Sequence, residues 1–100
     1  MFRFQRSGRT KNGKTPQAIM LAKEITDYLN GKYSQISIQV YTQVFDGFNT
    51  IYWISDYNDL ATIKNVSKQI MLDQGCWEIV NKGMEMFIQG GFNDTLMSSV

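Results

Sequence analysis

The stretch that decides the fold is Ile36-Ser37-Ile38-Gln39-Val40-Tyr41-Thr42-Gln43-Val44-Phe45-Asp46-Gly47-Phe48-Asn49-Thr50-Ile51-Tyr52-Trp53-Ile54-Ser55. Successive side chains of a strand point to opposite faces. Ile36, Ile38, Val40, Thr42 and Val44 therefore share one face, and Ser37, Gln39, Tyr41, Gln43 and Phe45 share the other. Asp46-Gly47-Phe48-Asn49 reads as a hairpin turn, with Asp-Gly its strongest element, and residues 50–55 return as a strand. That turn sets Phe45 opposite Thr50, Val44 opposite Ile51, Thr42 opposite Trp53, Gln43 opposite Tyr52 and Tyr41 opposite Ile54. Ile36, Ile38, Val40, Val44, Ile51 and Trp53 then form a core face. Gln39, Tyr41, Gln43, Phe45, Tyr52 and Ile54 form a second face, too aromatic for water and too rich in amides for a closed core. Such a mixture is typical of an interface. The sheet is expected to be covered on both faces, most simply by a second copy of the chain.

Outward from the hairpin, residues 1–7 alternate as a strand, with Phe2, Phe4 and Arg6 against Arg3, Gln5 and Ser7. Thr15-Pro16 predicts a helix start, Thr15 as N-cap and Pro16 at the first helical position. Ala18, Ala22, Ile25 and Leu29 follow at helical spacing, and Asn30-Gly31 is the expected stop. A second helix is predicted from near residues 56–59, with Leu60, Ile63, Val66, Ile70 and Met71 as its apolar side. Asp73-Gln74-Gly75 interrupts it. Cys76, Trp77, Val80, Met84 and Phe87 predict a third helical stripe, ended by Gly90-Gly91, and residues 94–100 a last strand. The order β-α-β-β-α-α-β is a ferredoxin-like α+β plan: a four-stranded antiparallel sheet with its helices on one face. All 100 residues are expected to form a single domain.

Composition removes many chemistries. The chain has no histidine, which excludes imidazole general bases, Ser-His-Asp triads and histidine-ligated metals. The single cysteine, Cys76, forms no intrachain disulfide and no cysteine-based zinc site; a buried packing thiol in a cytoplasmic protein is the expectation. No bound metal or cofactor is expected. Residues 1–6 show no signal-peptide apolar region, and no run approaches the length of a membrane span. A net charge of +1 predicts neither nucleic-acid nor membrane binding.

Gly8-Arg9-Thr10-Lys11-Asn12-Gly13-Lys14-Thr15 satisfies the P-loop pattern. The helix, however, begins after Gly-Lys, Pro16 lacks an N–H, and a hairpin follows where a P-loop fold needs parallel strands. The match is read as chance. Arg9, Lys11 and Lys14 remain candidates for holding an anion, within a segment whose Arg3, Arg6, Arg9, Lys11 and Lys14 meet no acid before Glu24. The same segment is the candidate surface if the chain is an interaction module. Without a recognition helix or an exposed aromatic platform, it is read as a solvated loop.

Gly13-Lys14 before the first helix, Ala18 and Ala22 on it, Tyr52-Trp53, Asp56-Tyr57-Asn58-Asp59-Leu60, Asp73-Gln74-Gly75-Cys76-Trp77, and Phe87 leading to Asp94-Thr95-Leu96 together carry a resemblance. The chain resembles the dimeric α+β barrel proteins, which include antibiotic-biosynthesis monooxygenase and NIPSNAP-like domains. The resemblance implies a homodimer whose two sheets face each other, with Gln39, Tyr41, Gln43, Tyr52 and Ile54 at the dimer interface. It implies no single function, since the group holds cofactor-free oxygenases, haem-degrading enzymes and members without known activity. It places pockets between sheet and helices, where Trp53, Thr42, Tyr57 and Trp77 are the candidates to line one. The expected ligand is a small aromatic or apolar molecule. An oxygenase would require an open pocket lined by Trp53. Otherwise Trp53 is core, with its indole N–H bonded to a neighbour.

Overall fold

The computed structural model describes every residue except 46 and 48. Its elements are β1 (Phe2–Thr10), α1 (Thr15–Lys32), β2 (Ile38–Thr42), β3 (Thr50–Tyr57), α2 (Leu60–Met71), α3 (Gln74–Asn81) and β4 (Phe87–Ser98), with a short 3-10 turn at Met84–Met86. The strands form one antiparallel sheet in the order β2-β3-β1-β4. The order and connectivity are those of the ferredoxin-like α+β plan.

The hairpin keeps its faces but shifts its pairing. Thr42 opposes Ile51, Val40 opposes Trp53, Tyr41 opposes Tyr52, and Gln39 opposes Ile54. Each partner lies two residues from the one expected, because the ladder closes with Gln43 N–H bonding to the Thr50 carbonyl and Val44 does not extend it. A two-residue slip preserves parity, so every paired side chain stays on its expected face. Val44 and Phe45 leave the sheet and are exposed. The expected Asp46-to-Asn49 turn lies partly outside the described residues.

Other boundaries moved for identifiable reasons. Lys14, not Thr15, is the N-cap of α1, and it makes no side-chain cap bond. The Thr15 hydroxyl instead shares a 2.6 Å hydrogen bond with that of Thr10. Asn30-Gly31 does not stop α1, because the Asn30 amide is used elsewhere: it accepts from Ile38 N–H at 2.8 Å and donates to the Ile38 carbonyl at 3.0 Å. Asp59 caps α2 through Thr62 N–H, whereas Asp56 and Tyr57 complete β3. The third helix ends at Asn81. Phe87 opens β4, paired with Thr10, so Gly90-Gly91 falls inside the strand at an irregularity rather than after a helix.

Two apolar clusters lie between sheet and helices. One joins Leu29, Tyr33, Ile36, Tyr57, Val66 and Cys76, with Phe4 and Ile70 against it. The other joins Ala18, Leu21, Ala22, Ile51 and Phe87, with Val40, Trp53 and Met86 against it. Among the described residues no helix is long and apolar enough to cross a membrane.

Candidate functional site

Trp53, Phe87 and Phe92 form an aromatic row. Ring centroids are 6.1 Å apart for Trp53 and Phe87 and 5.1 Å apart for Phe87 and Phe92. Both phenylalanines cross β1 at Gly8. A Cβ there would meet the Phe92 ring at 2.7 Å and the Phe87 ring at 3.2 Å. Gly8 is thus the residue that lets the rings lie on the sheet. The row runs from the core, at Trp53, to the surface at Phe92. There it enters an open depression of about 590 Å³ lined by Lys11, Met84, Glu85, Phe87, Ile88, Gln89, Gly90 and Phe92. A neighbouring depression of about 400 Å³ shares Lys11 and Glu85 with it and adds Lys14, Gln17, Lys82 and Met86.

The inner end of the row carries an unanswered polar group. Trp53 Nε1 is buried and has no hydrogen-bond partner among the described residues, contrary to the expectation of a satisfied core indole. On the same rung and the same face, Arg6 lies opposite Trp53 on β3 and Asp94 on β4. The Arg6 guanidinium donates to both Asp94 oxygens at 2.8 and 2.9 Å and holds that carboxyl below the usual carboxylate range. Both side chains are about half exposed. Over β4, then, the helix-side face is only partly covered.

The four pocket candidates do not all converge. Thr42, on β2, pairs with Ile51 and lies diagonal to Trp53 on the same face of the sheet. Tyr57 lies four residues along β3 from Trp53, about 13 Å away at strand rise, and belongs to the other cluster. Trp77 sits on α3, exposed, with its indole N–H bonded to the Met71 carbonyl at 2.8 Å. Trp53 lines neither depression. Of the anion candidates, Lys11 and Lys14 come together at one depression, while the register directs Arg9 to the other face of the sheet. Arg3 is occupied by Asp56, donating to both of its oxygens at 2.9 and 3.0 Å.

Gln39, Tyr41, Tyr52 and Ile54 share the helix-free face, as the pattern required. The Tyr41 hydroxyl donates to Gln39 at 2.8 Å, and that of Tyr52 reaches Gln43 at 3.4 Å. Arg3, Gln5, Ser7 and Arg9 of β1 and Thr95 and Met97 of β4 share this face.

A second polar centre was not foreseen. Asp73 is 4% exposed. It accepts from the Tyr33 hydroxyl at 2.6 Å, the Tyr28 hydroxyl at 2.8 Å and Cys76 N–H at 3.1 Å, and it pairs with Lys32 Nζ at 3.0 Å. Hydrogen bonding, from Tyr33 first, holds its carboxyl far below the ordinary range. The same bond raises the Tyr33 hydroxyl, and Asp73 likewise raises the Lys32 ammonium. Burial pushes the Cys76 thiol up, so it is no activated nucleophile. Every member of this centre is engaged with another, which makes it a brace between α1 and the α2–α3 junction. Among the described residues no cluster of His, Cys, Asp or Glu is placed to hold a metal.

One sheet with its helices on one face and an open opposite face defines the class: a ferredoxin-like α+β protein. No family model matches the chain, and no curated protein does. Solved structures share its fold. A NIPSNAP domain protein from Burkholderia xenovorans, described as uncharacterised, superposes with a TM-score of 0.81 at 12% identity, over 100% of this chain and 95% of that one. A structure described as an antibiotic biosynthesis monooxygenase gives 0.75 at 12% identity, over 100% and 99%. SnoaB of Streptomyces nogalater, a cofactor-independent oxygenase, gives 0.70 at 7% identity, over 98% and 91%. At these identities the likeness is one of fold.

Proposed function

We propose that the chain is a small-molecule-binding domain that takes an apolar or aromatic ligand where the Trp53–Phe87–Phe92 row reaches the surface. The observation that carries this reading is the row itself: three rings leading from the core into a depression whose Met84, Ile88 and Phe92 side chains are exposed. Binding sites are typically such apolar concavities with a few polar groups at the edge. The oxygenase reading, suggested by the relatives' names, is less well supported. It asks for an open pocket at Trp53, and Trp53 packs instead against a core cluster of Ala18, Leu21, Ala22, Ile51 and Phe87.

The neutral dye Nile red tests the binding reading. Saturable fluorescence enhancement is expected, abolished by Ile88→Asp and unchanged by Leu72→Asp at an exposed apolar residue elsewhere. Equal loss in both variants, or enhancement indifferent to Ile88, would refute it.

For the helix-free face the proposed cover is a second copy of the chain. Tyr41 is 50% and Met97 41% exposed there, with Tyr52 and Ile54 between, and a face of that composition is better covered than wet. Light scattering at micromolar concentration is expected to give twice the chain mass, and Tyr41→Glu the single mass.

A further inference from the structure

We infer that the ligand of the proposed site is an amphiphilic anion: an apolar or aromatic body ending in a carboxylate or a group of like charge. The inference rests on the binding reading above and deepens it. The two depressions adjoin at Lys11 and Glu85, which line both, and the rest of their linings differ. The larger is walled by Met84, Phe87, Ile88 and Phe92. The smaller is edged by Lys11, Lys14 and Lys82 with Gln17, Glu85 and Met86. Lys82 is already bound to Glu24 at 3.0 Å. Lys11 and Lys14 form no ion pair among the described residues, so they outnumber Glu85 and leave the rim net positive.

The backbone adds to that sign. The smaller depression lies at the start of α1, an 18-residue helix. Its cap, Lys14, offers no side-chain acceptor, and its first turn holds no acid. Among the described residues no capping side chain and no first-turn acid answers the positive end of the helix. The loop carrying both lysines is also held in place. Lys11 N–H donates to the Met86 carbonyl at 2.9 Å, and Lys14 N–H to the Lys11 carbonyl at 3.0 Å. Each lysine stem can lie along apolar surface while its ammonium faces the ligand's charged end. A neutral apolar molecule uses only the larger half of this surface, and a simple anion only the smaller.

Naphthoate and its uncharged analogue naphthamide separate the two claims. Titration calorimetry on the full chain is expected to show naphthoate binding at least about 10-fold tighter than naphthamide, the scale of one well-placed charge contact at a partly screened site. Added salt should erode the difference. Lys11→Gln with Lys14→Gln should bring naphthoate to the level of naphthamide, and Glu85→Gln should tighten naphthoate alone. All three residues are exposed, so these variants are expected to fold. Equal affinity for the two probes, unmoved by the lysine changes, overturns the anion inference and leaves the apolar site standing. No saturable binding of either probe overturns both.

Discussion

The layer between sheet and helices has two ends that handle polar groups in opposite ways. At the Tyr57 end, Asp73 is buried and every one of its hydrogen-bonding partners is in place: Tyr33, Tyr28, Lys32 and Cys76 N–H. At the Trp53 end a buried indole N–H has no partner among the described residues, and the Arg6–Asp94 pair on the same face stands half in water. A buried charge is tolerable only with full compensation, so the first end must be rigid to exist. The second end is left with unspent polar capacity next to an exposed aromatic surface. Folds that bind ligands on a fixed scaffold divide their structure in this manner, with rigidity at one place and incomplete packing at another.

The largest expected effect comes from breaking the rigid end. Asp73→Ala leaves two tyrosine hydroxyls and a lysine without their acceptor, and should lower Tm by about 20 °C. Asp94→Ala, which breaks a bidentate ion pair half exposed to solvent, should lower it by less than about 5 °C. Thermal unfolding followed by circular dichroism decides the comparison; equal losses would erase the distinction between the two ends.

Next comes the pH dependence of the brace. Asp73 titrates below its ordinary value of 3.8 in the folded chain, so its contribution is complete above that pH and is lost as pH falls through the folded value. Lys32 and Tyr33 are raised from 10.5 and 10.0, so theirs is complete below about pH 10 and lost as pH rises. Urea midpoints should form a plateau with an acid and an alkaline limb, and Asp73→Asn should flatten both. An alkaline limb that survives unchanged would show that Lys32 and Tyr33 act independently of Asp73.

Smaller still is the contrast between two glycines. At Gly75 an added Cβ would run into the Tyr28 hydroxyl, which is fixed by its bond to Asp73. At Gly8 it would press on the Phe92 and Phe87 rings, and Phe92, being 37% exposed, has somewhere to go. Gly8→Ala should cost about 1–2 kcal/mol and change dye binding, whereas Gly75→Ala should cost more and leave dye binding alone. The reverse order would mean that the aromatic row is the stiffer of the two.

These two ends were unequally legible in the sequence. The alternation of Ile38, Val40 and Thr42 against Gln39 and Tyr41 gave the faces of the sheet, because period-two patterning survives any even slip in register. The slip itself turned on how long the loop after Thr42 is, which Asp-Gly alone does not decide. Phe87 continued the helical spacing of Val80 and Met84, and only the buried Gly83, packed where a side chain would strike Leu21 and Met86, marks the end of that helix. Asp73 looked like a mere interruption because its partners Tyr28, Lys32 and Tyr33 lie some forty residues away, and local spacing carries no trace of such contacts. Lys82 was missed at the site for the same reason, while Lys11 and Lys14 were visible because they are neighbours in the chain.

Trp53→Phe gives the smallest expected change, and its smallness is informative. Shortening a packed tryptophan removes ring volume and normally destabilises. Here the same substitution also removes a buried donor that has no acceptor among the described residues, and leaving such a donor unpaired is unfavourable by about 1–3 kcal/mol. The two effects oppose, so the net change should stay within about 1 kcal/mol. A much larger loss, measured by urea unfolding, would mean that the indole N–H is bonded in the folded chain. The two ends of the layer would then be equally complete, and the contrast between them would reduce to solvent exposure at Arg6 and Asp94.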